Sequence, residues 1–186
     1  MDRDLHYSAI VVGRKGVGKS TYLNKIAGKH FSKKVLIIDV NGSPAYNAHR
    51  QIEVKQIKLV RSGIVKLLGT PTLETLKVIA DHWRDGLVIF EDCTKYISGN
   101  VDPSIKTFLV DHRMYNCDLI FTFHSIKMVP PFFWQMISYC TLFKTAETFD
   151  NSYKKRLPNY EELLKSFNKI KASKNERYNE TIETLI

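Results

Sequence analysis

The chain has 186 residues, a net charge of +9, 44% hydrophobic residues and three cysteines. That is enough for one well-buried domain and short for two. It contains no run of about 18 apolar residues to span a membrane, and the first residues, MDRDLHYS, lack the apolar core of a secretion signal. Cys93, Cys117 and Cys140 form no CxxC pair, so they read as free thiols in a reducing, cytoplasmic setting rather than as a disulfide framework or a zinc site. The basic balance makes polyanions plausible partners, and it is equally the charge of a merely soluble surface.

In chain order, five short apolar runs read as buried strands: Ala9 to Val12, Val35 to Ile38, Leu87 to Phe90, Leu119 to Phe123, and Cys140 to Phe143. Continuous rather than alternating apolar character suits parallel strands covered on both faces. Helical patterns lie between them. Lys19 to Ala27 is the first. Thr70-Pro71 opens a second, with Leu73, Leu76, Ala80 and Trp83 on one stripe. Asp102-Pro103 opens a third, with Asp102 as N-cap and Ile105, Phe108 and Leu109 inside; Pro131 begins a short fourth. Strands and helices in alternation predict an α/β fold with a mainly parallel central sheet. Gln51 to Val60 alternates with one slip and predicts an extra edge strand or hairpin.

Beyond Thr145 the character changes. Residues 151–177 hold eight Lys or Arg and three Glu, and Tyr160, Leu163, Leu164, Phe167 and Ile170 mark one apolar helix face. The division expected is a core over 1–150 and a basic helical extension over 151–186. Its basic face is either simply solvated or turned toward DNA or another subunit.

The chemistry starts at GRKGVGKS, residues 13–20, between the first strand and the first helix. It fits G-x-x-x-x-G-K-[ST] at every fixed position. Gly13, Gly16 and Gly18 allow tight turns, so backbone N–H groups of Val17, Gly18 and their neighbours can point at phosphate oxygens. The helix starting at Lys19, Ser20 and Thr21 adds its positive end. Lys19 brings a charge to the outer phosphates, and the Ser20 hydroxyl can ligate Mg²⁺.

A second acidic position is needed for the metal and for water. GLVIFED, residues 86–92, supplies four apolar residues and then two carboxylates. Glu91 is assigned to Mg²⁺ by position and Asp92 to the attacking water. The order, Glu before Asp, leaves open which of the two activates water. A third strand ends in His124, which would sit near the γ-phosphate if that strand lies between the other two.

Together these pieces resemble the FtsK–HerA superfamily of P-loop ATPases over roughly residues 5–145. The resemblance is carried by GRKGVGKSTYLN, by VLIIDVNG (35–42), by VIFED and by DHRMYNCDLIFTFHSIKMVPPFFWQMISYCTLFKT (111–145). It is similar there to small phage morphogenesis and viral genome-packaging ATPases, Zot-like and HerA-like relatives included. His124 stands where the family commonly has Gln. The resemblance implies a P-loop NTPase fold of the RecA/ASCE-like type, with the His124 strand between the two nucleotide-binding strands. It implies ATP and Mg²⁺ as cofactors, a homo-oligomeric ring (hexameric or pentameric), and double-stranded DNA as the translocated partner. It also implies an arginine reaching the site from a neighbouring subunit. Arg113, read as part of the helix before the His124 strand, matches that arginine; Arg84 is the alternative. The setting implied is the host cytoplasm or the virion, with a portal or capsid protein as a possible partner.

Three other readings stay open at this level. A GTPase switch would want N-K-x-D, and neither Asn24-Lys25 nor Asn168-Lys169 continues that way. A small-molecule kinase would want an arginine-rich lid. A scaffold with a degenerate site would tolerate the inverted acids and His124.

Overall fold

The computed structural model describes residues 6–30, 32–97, 101–149 and 151–184. Residues 1–5, which carry most of the N-terminal stretch read above, lie outside them. The elements are β1 (Ser8–Val12), α1 (Lys19–Lys29), β2 (Lys34–Asp39), β3 (Arg50–Gln51), β4 (Gly63–Leu68), α2 (Leu73–His82), β5 (Gly86–Phe90), α3 (Pro103–Asp111), β6 (Cys117–Phe123), α4 (Pro131–Met136), β7 (Tyr139–Leu142), α5 (Tyr160–Ala172) and β8 (Glu180–Glu183). The eight strands form one sheet in the order β3-β4-β2-β5-β6-β1-β7-β8. Every pairing is parallel except β7–β8.

The apolar runs become strands because both of their faces are covered. Every residue of β5 and β6 is buried. Alternate side chains enter two separate cores. Ile10, Leu36, Ile38, Val88, Phe90, Leu119 and Phe121 pack on the side that also holds Ile79, Phe108, Phe133 and Phe167. Val11, Val35, Ile37, Leu87, Ile89 and Ile120 face Leu23 and Ala27 of α1. With helices on both faces, a near-continuous hydrophobic strand is the stable choice. Each parallel connection then brings the chain back to the same end, so all strands from β1 to β7 point their C-termini to one edge of the sheet.

Local chemistry sets the helix starts. The Asp102 carboxylate accepts from the Ser104 N–H, with Pro103 at the first helical position, as expected. The second helix starts later than Thr70-Pro71: Thr72 is its N-cap, accepting from the Thr75 N–H. That shift rotates Leu73 out to 64% exposure and leaves Thr75, Leu76 and Ile79 as the buried stripe.

The segment expected to be an edge strand over 51–60 is mostly something else. Only Arg50–Gln51 pairs, and Val54–Leu59 forms a 3-10 turn closed by reciprocal bonds between Glu53 and Gln56. Ile52, Ile57 and Val60 are buried while Leu59 is exposed, so the alternation reflects three anchor points rather than a pleat. A strand unmarked in the sequence reading, β4, lies between β3 and β2.

The C-terminal residues give the expected helix. Leu163, Phe167 and Ile170 of α5 are buried, and its Lys165, Lys169 and Lys171 are exposed. They also give a strand. β8 runs antiparallel to β7, with Ile182 opposite Cys140 and the Thr141 and Thr181 hydroxyls 2.8 Å apart. All three cysteines are buried and free. No helix among the described residues is long and apolar enough to cross a membrane.

Candidate nucleotide site

The cleft lies where the topology puts it, outside the C-terminal ends of β1, β2, β5 and β6. It measures about 440 Å³ and is lined by Lys15, Gly16, Gly18, Lys19, Ser20 and Thr21 on one side. Asp39, Asn41, Glu91, Asp92, Thr122 and His124 line the other, and Arg177 lines the cleft beside Gly18. β6 is hydrogen-bonded to both β1 and β5, so the strand ending before His124 does separate the strand before the glycine loop from the strand before the acid pair.

The loop has the backbone that its glycines permit. Gly16 and Gly18 sit at φ +87° and +93°, where a Cβ is strained. Gly13 is needed for a different reason: a Cβ there would lie 2.5 Å from Cβ of Phe143. Val17 is buried against the α1 side of the sheet, so it contributes main chain rather than side chain. Lys19 is buried and its Nζ donates to the carbonyls of Gly13 (2.5 Å) and Arg14 (3.0 Å). Burial pulls its ammonium below the usual lysine range, and Glu91 and Asp92 pull it back up. The curled loop thus holds a desolvated cation against its own carbonyls, in a form that phosphate oxygens can take over.

Glu91 follows β5 and is buried. Tyr46 donates its phenol to Oε1, and Ser20 is a second hydrogen-bond partner. Burial raises its pKa above the usual carboxylate range, against the opposing effect of those two bonds and Lys19, while Asp39 adds to the rise. Asp39, at the end of β2, accepts from the Ser43 N–H at Oδ1; its Oδ2 lies 3.6 Å from Lys66 Nζ without a hydrogen-bond partner among the described residues. The Ser20 hydroxyl beside the Glu91 carboxylate, with the buried Asp39 oxygen near, fits a hard cation that keeps several waters.

Asp92 takes a left-handed conformation (φ +49°), and its N–H donates to Thr122 Oγ1 at 2.6 Å. That turn separates the two acids: Glu91 faces Ser20 and Tyr46, and Asp92 faces His124. Nε2 of His124 is 2.7 Å from Asp92 Oδ1, Asn41 donates to Oδ2 at 2.9 Å, and Lys95 Nζ is 3.3 Å from Oδ2. Burial would raise the Asp92 pKa, but the Asn41 bond, His124 and Lys95 outweigh it and hold the carboxyl below the usual range. The neighbouring acids are therefore pushed in opposite directions.

One placement needs correction, the helix expected to carry Arg113. α3 ends at Asp111, and Arg113 is in the exposed turn that follows it, not in a helix. The turn is closed by the bond from the Asn116 N–H to the Arg113 carbonyl, with Asn116 at φ +52°. Arg113 precedes β6, whereas the cleft follows it, so seven strand residues lie between, roughly 23 Å at about 3.3 Å per residue. Arg84 is at the same far end, bonded to the Ala80 and Trp83 carbonyls and stacked 3.7 Å over Tyr115. The arginine that does reach the cleft, Arg177, had no signal beyond its charge. Asp39 and Asn41 lay in VLIIDVNG (35–42) and Thr122 in the strand Leu119 to Phe123, with no site role read for any of them; Tyr46 lay outside every marked stretch.

No family model matches the chain, and no curated protein sequence does. Among solved structures, it is similar to the genome packaging NTPase B204 from Sulfolobus turreted icosahedral virus 2 in complex with ATP-gammaS. That match has a TM-score of 0.71 at 17% identity, covering 96% of this chain and 92% of that one. The same NTPase in complex with AMP gives 0.71 at 15%, covering 96% and 93%. B204, the DNA-packaging ATPase from Sulfolobus Turreted Icosahedral Virus, gives 0.66 at 16% over all of both chains. The likeness is one of fold: a P-loop NTPase fold with an eight-stranded, mostly parallel sheet.

Proposed function

We propose that the protein is a Mg²⁺-dependent ATPase whose hydrolysis drives double-stranded DNA, in the packaging of a viral genome. The observation that carries the ATPase part is the meeting of Lys19, Ser20, Glu91, Asp92 and His124 around one cleft. The DNA part leans on the fold shared with packaging NTPases, on the net charge of +9, and on the FtsK–HerA resemblance.

In this reading the N–H groups of residues 16–21 and the Lys19 ammonium hold the phosphate chain. Lys19 releases the Gly13 and Arg14 carbonyls to do so. Ser20 and Glu91, with Asp39 beside them, would hold the magnesium, which would offset charge on the outer phosphates. Asp92, ionised and steered by Asn41 and His124, orients the attacking water and takes its proton. His124 then senses whether the γ-phosphate is present, through its 2.7 Å approach to Asp92. Arg113 cannot serve its own cleft, so it acts in a ring, completing a neighbour's site and stabilising charge on the transferring phosphoryl. DNA is held by its phosphates without base reading. The protein works in the host cytoplasm or the virion, with a portal or capsid protein as its docking partner.

One observation favours a second reading, a nucleotide-responsive scaffold: Asp92 Oδ2 is already taken by Asn41 and Lys95, and Oδ1 is buried beside His124. The experiment is ATP hydrolysis with Mg²⁺ over a range of protein concentrations, with and without double-stranded DNA. Turnover that rises with both supports a motor completed in trans. Turnover indifferent to both leaves an ATPase and removes translocation. Nucleotide binding without turnover under any condition favours the scaffold.

A further inference from the structure

The loop between α5 and β8, residues 173–179, lies against the phosphate loop. Glu176 bridges Arg14 (Oε2 to Nη2, 2.5 Å) and Lys144 (Oε1 to Nζ, 2.9 Å), tying the second residue of the phosphate loop to the end of β7. The loop is also braced from within: the Arg177 N–H donates to Asn175 Oδ1, and Asn179 donates to the Arg177 carbonyl. Its far end is pinned where Tyr178 donates to Glu180 at 2.6 Å.

Arg177 is thereby laid over Gly18. A Cβ at Gly18 would meet its Cγ, Cδ and Nε at 3.4, 3.6 and 3.8 Å. Arg177 lines the same cleft as Lys15 and Lys19, and its side chain makes no ion pair among the described residues. The nearest acid on its own loop, Glu176, is already shared by Arg14 and Lys144. The cleft is therefore polarised, with Lys15, Lys19 and Arg177 on one wall and Asp39, Glu91 and Asp92 on the other. Three cations lining one wall, with Glu176 already shared by Arg14 and Lys144, suit a bound polyanion.

We propose that Arg177 is a nucleotide-binding residue supplied in cis, its guanidinium meeting the phosphate chain of the bound nucleotide outside the Gly18 turn. This rests on the reading of the cleft as a nucleotide site. Planar, bidentate recognition of phosphate is what an arginine does better than a lysine. The α5–β8 loop is then a wall of the site, and the segment after residue 150 belongs to the catalytic unit rather than flanking it.

The test is titration of ADP and of inorganic pyrophosphate, with Mg²⁺, into the wild-type chain and the Arg177→Ala and Arg177→Lys variants. Loss of one charge-assisted contact predicts about tenfold weaker binding of both ligands to Arg177→Ala. Arg177→Lys regains part of the loss, and the ligand-free melting temperature is unchanged because the side chain is exposed. ADP affinity within twofold of wild type in Arg177→Ala overturns the proposal. So does a loss for ADP with none for pyrophosphate, which assigns the contact to the base. If the wild-type chain binds neither ligand at millimolar concentration, the nucleotide reading falls and this inference with it; binding abolished by Lys19→Ala but untouched by Arg177→Ala overturns the inference alone.

Discussion

Oδ1 of Asp92 and Nε2 of His124 stand 2.7 Å apart at the floor of the cleft, joining the ends of two neighbouring strands. Replacing the carboxylate tests whether that pair is chemical or merely structural. Asp92→Asn keeps the shape and one acceptor oxygen for the Asn41 bond but loses the base. ATP turnover should fall by about 10²–10⁴-fold with ATP affinity changed little. Unchanged turnover in a steady-state assay would remove Asp92 from the water-activating role.

Glu91 makes the opposite case. Its folded pKa is raised, so its ionisation is disfavoured by folding, and its contribution to stability is greatest below the unfolded value of about 4.3. That contribution is lost as pH rises through the raised folded value. Glu91→Gln should therefore raise the melting temperature at neutral pH, by a few degrees if the relief is about 1 kcal/mol, while abolishing turnover. For Asp92, with its lowered pKa, the linkage runs the other way. Its contribution is present above the unfolded value of about 3.9 and disappears as pH falls through the folded one. Calorimetry from pH 3 to pH 8 on the two Gln and Asn variants should show the slopes differing from wild type in opposite directions.

Lys19→Ala removes the buried ammonium and leaves the Gly13 and Arg14 carbonyls without that donor. Turnover should drop below detection, and ATP binding should weaken by about 10–100-fold, the scale of one charge-assisted bond. Persistent hydrolysis in a purified preparation would disqualify the whole cleft.

Gly13 and Phe143 set a packing limit. A methyl at residue 13 meets the Phe143 Cβ at 2.5 Å, backbone-close on both sides. Gly13→Ala should destabilise by about 1–3 kcal/mol through overpacking, visible as a lower melting temperature. A variant that melts with the wild type would mean the β1 and β7 ends separate freely.

Arg113 is exposed and a strand's length from its own cleft, so its role can be separated from folding. Arg113→Ala and Lys19→Ala chains should each be inactive alone and regain turnover when mixed, because one supplies intact clefts and the other intact arginines. No recovery in a mixing titration would take Arg113 out of the site.

The legible parts of the fold were those governed by a single local rule. Strands buried on both faces wrote themselves as apolar runs, and Asp102-Pro103 announced α3 by capping chemistry alone. β4 was hidden because Lys66 interrupts GIVKLL, and its burial is explained only by Asp39 3.6 Å away on β2. β8 was hidden because ETIE needs only Ile182 to face the core. The site divided in the same way. The loop and the acid pair lie in contiguous stretches whose spacing carries the chemistry. Tyr46, 45 positions from Glu91, and Thr122, 30 from Asp92, become partners only once strands are paired. The helix boundary before β6 was not legible: α3 ends at Asp111, and Arg113 falls in the turn that closes with Asn116 at φ +52°.

The bridge from Arg14 to Glu176 joins residues 162 positions apart. A contact of that range forms late, because closing so long a loop costs entropy before it returns anything. The first strand and its glycine turn can be made early, yet the cleft gains its outer wall only when β7 has found β1 and β8 has found β7. A nucleotide bound as proposed would be a poor template for the nascent fold and a good reporter of the finished one. A protection pulse during refolding should see ligand-dependent slowing of exchange only after the far edge of the sheet has closed.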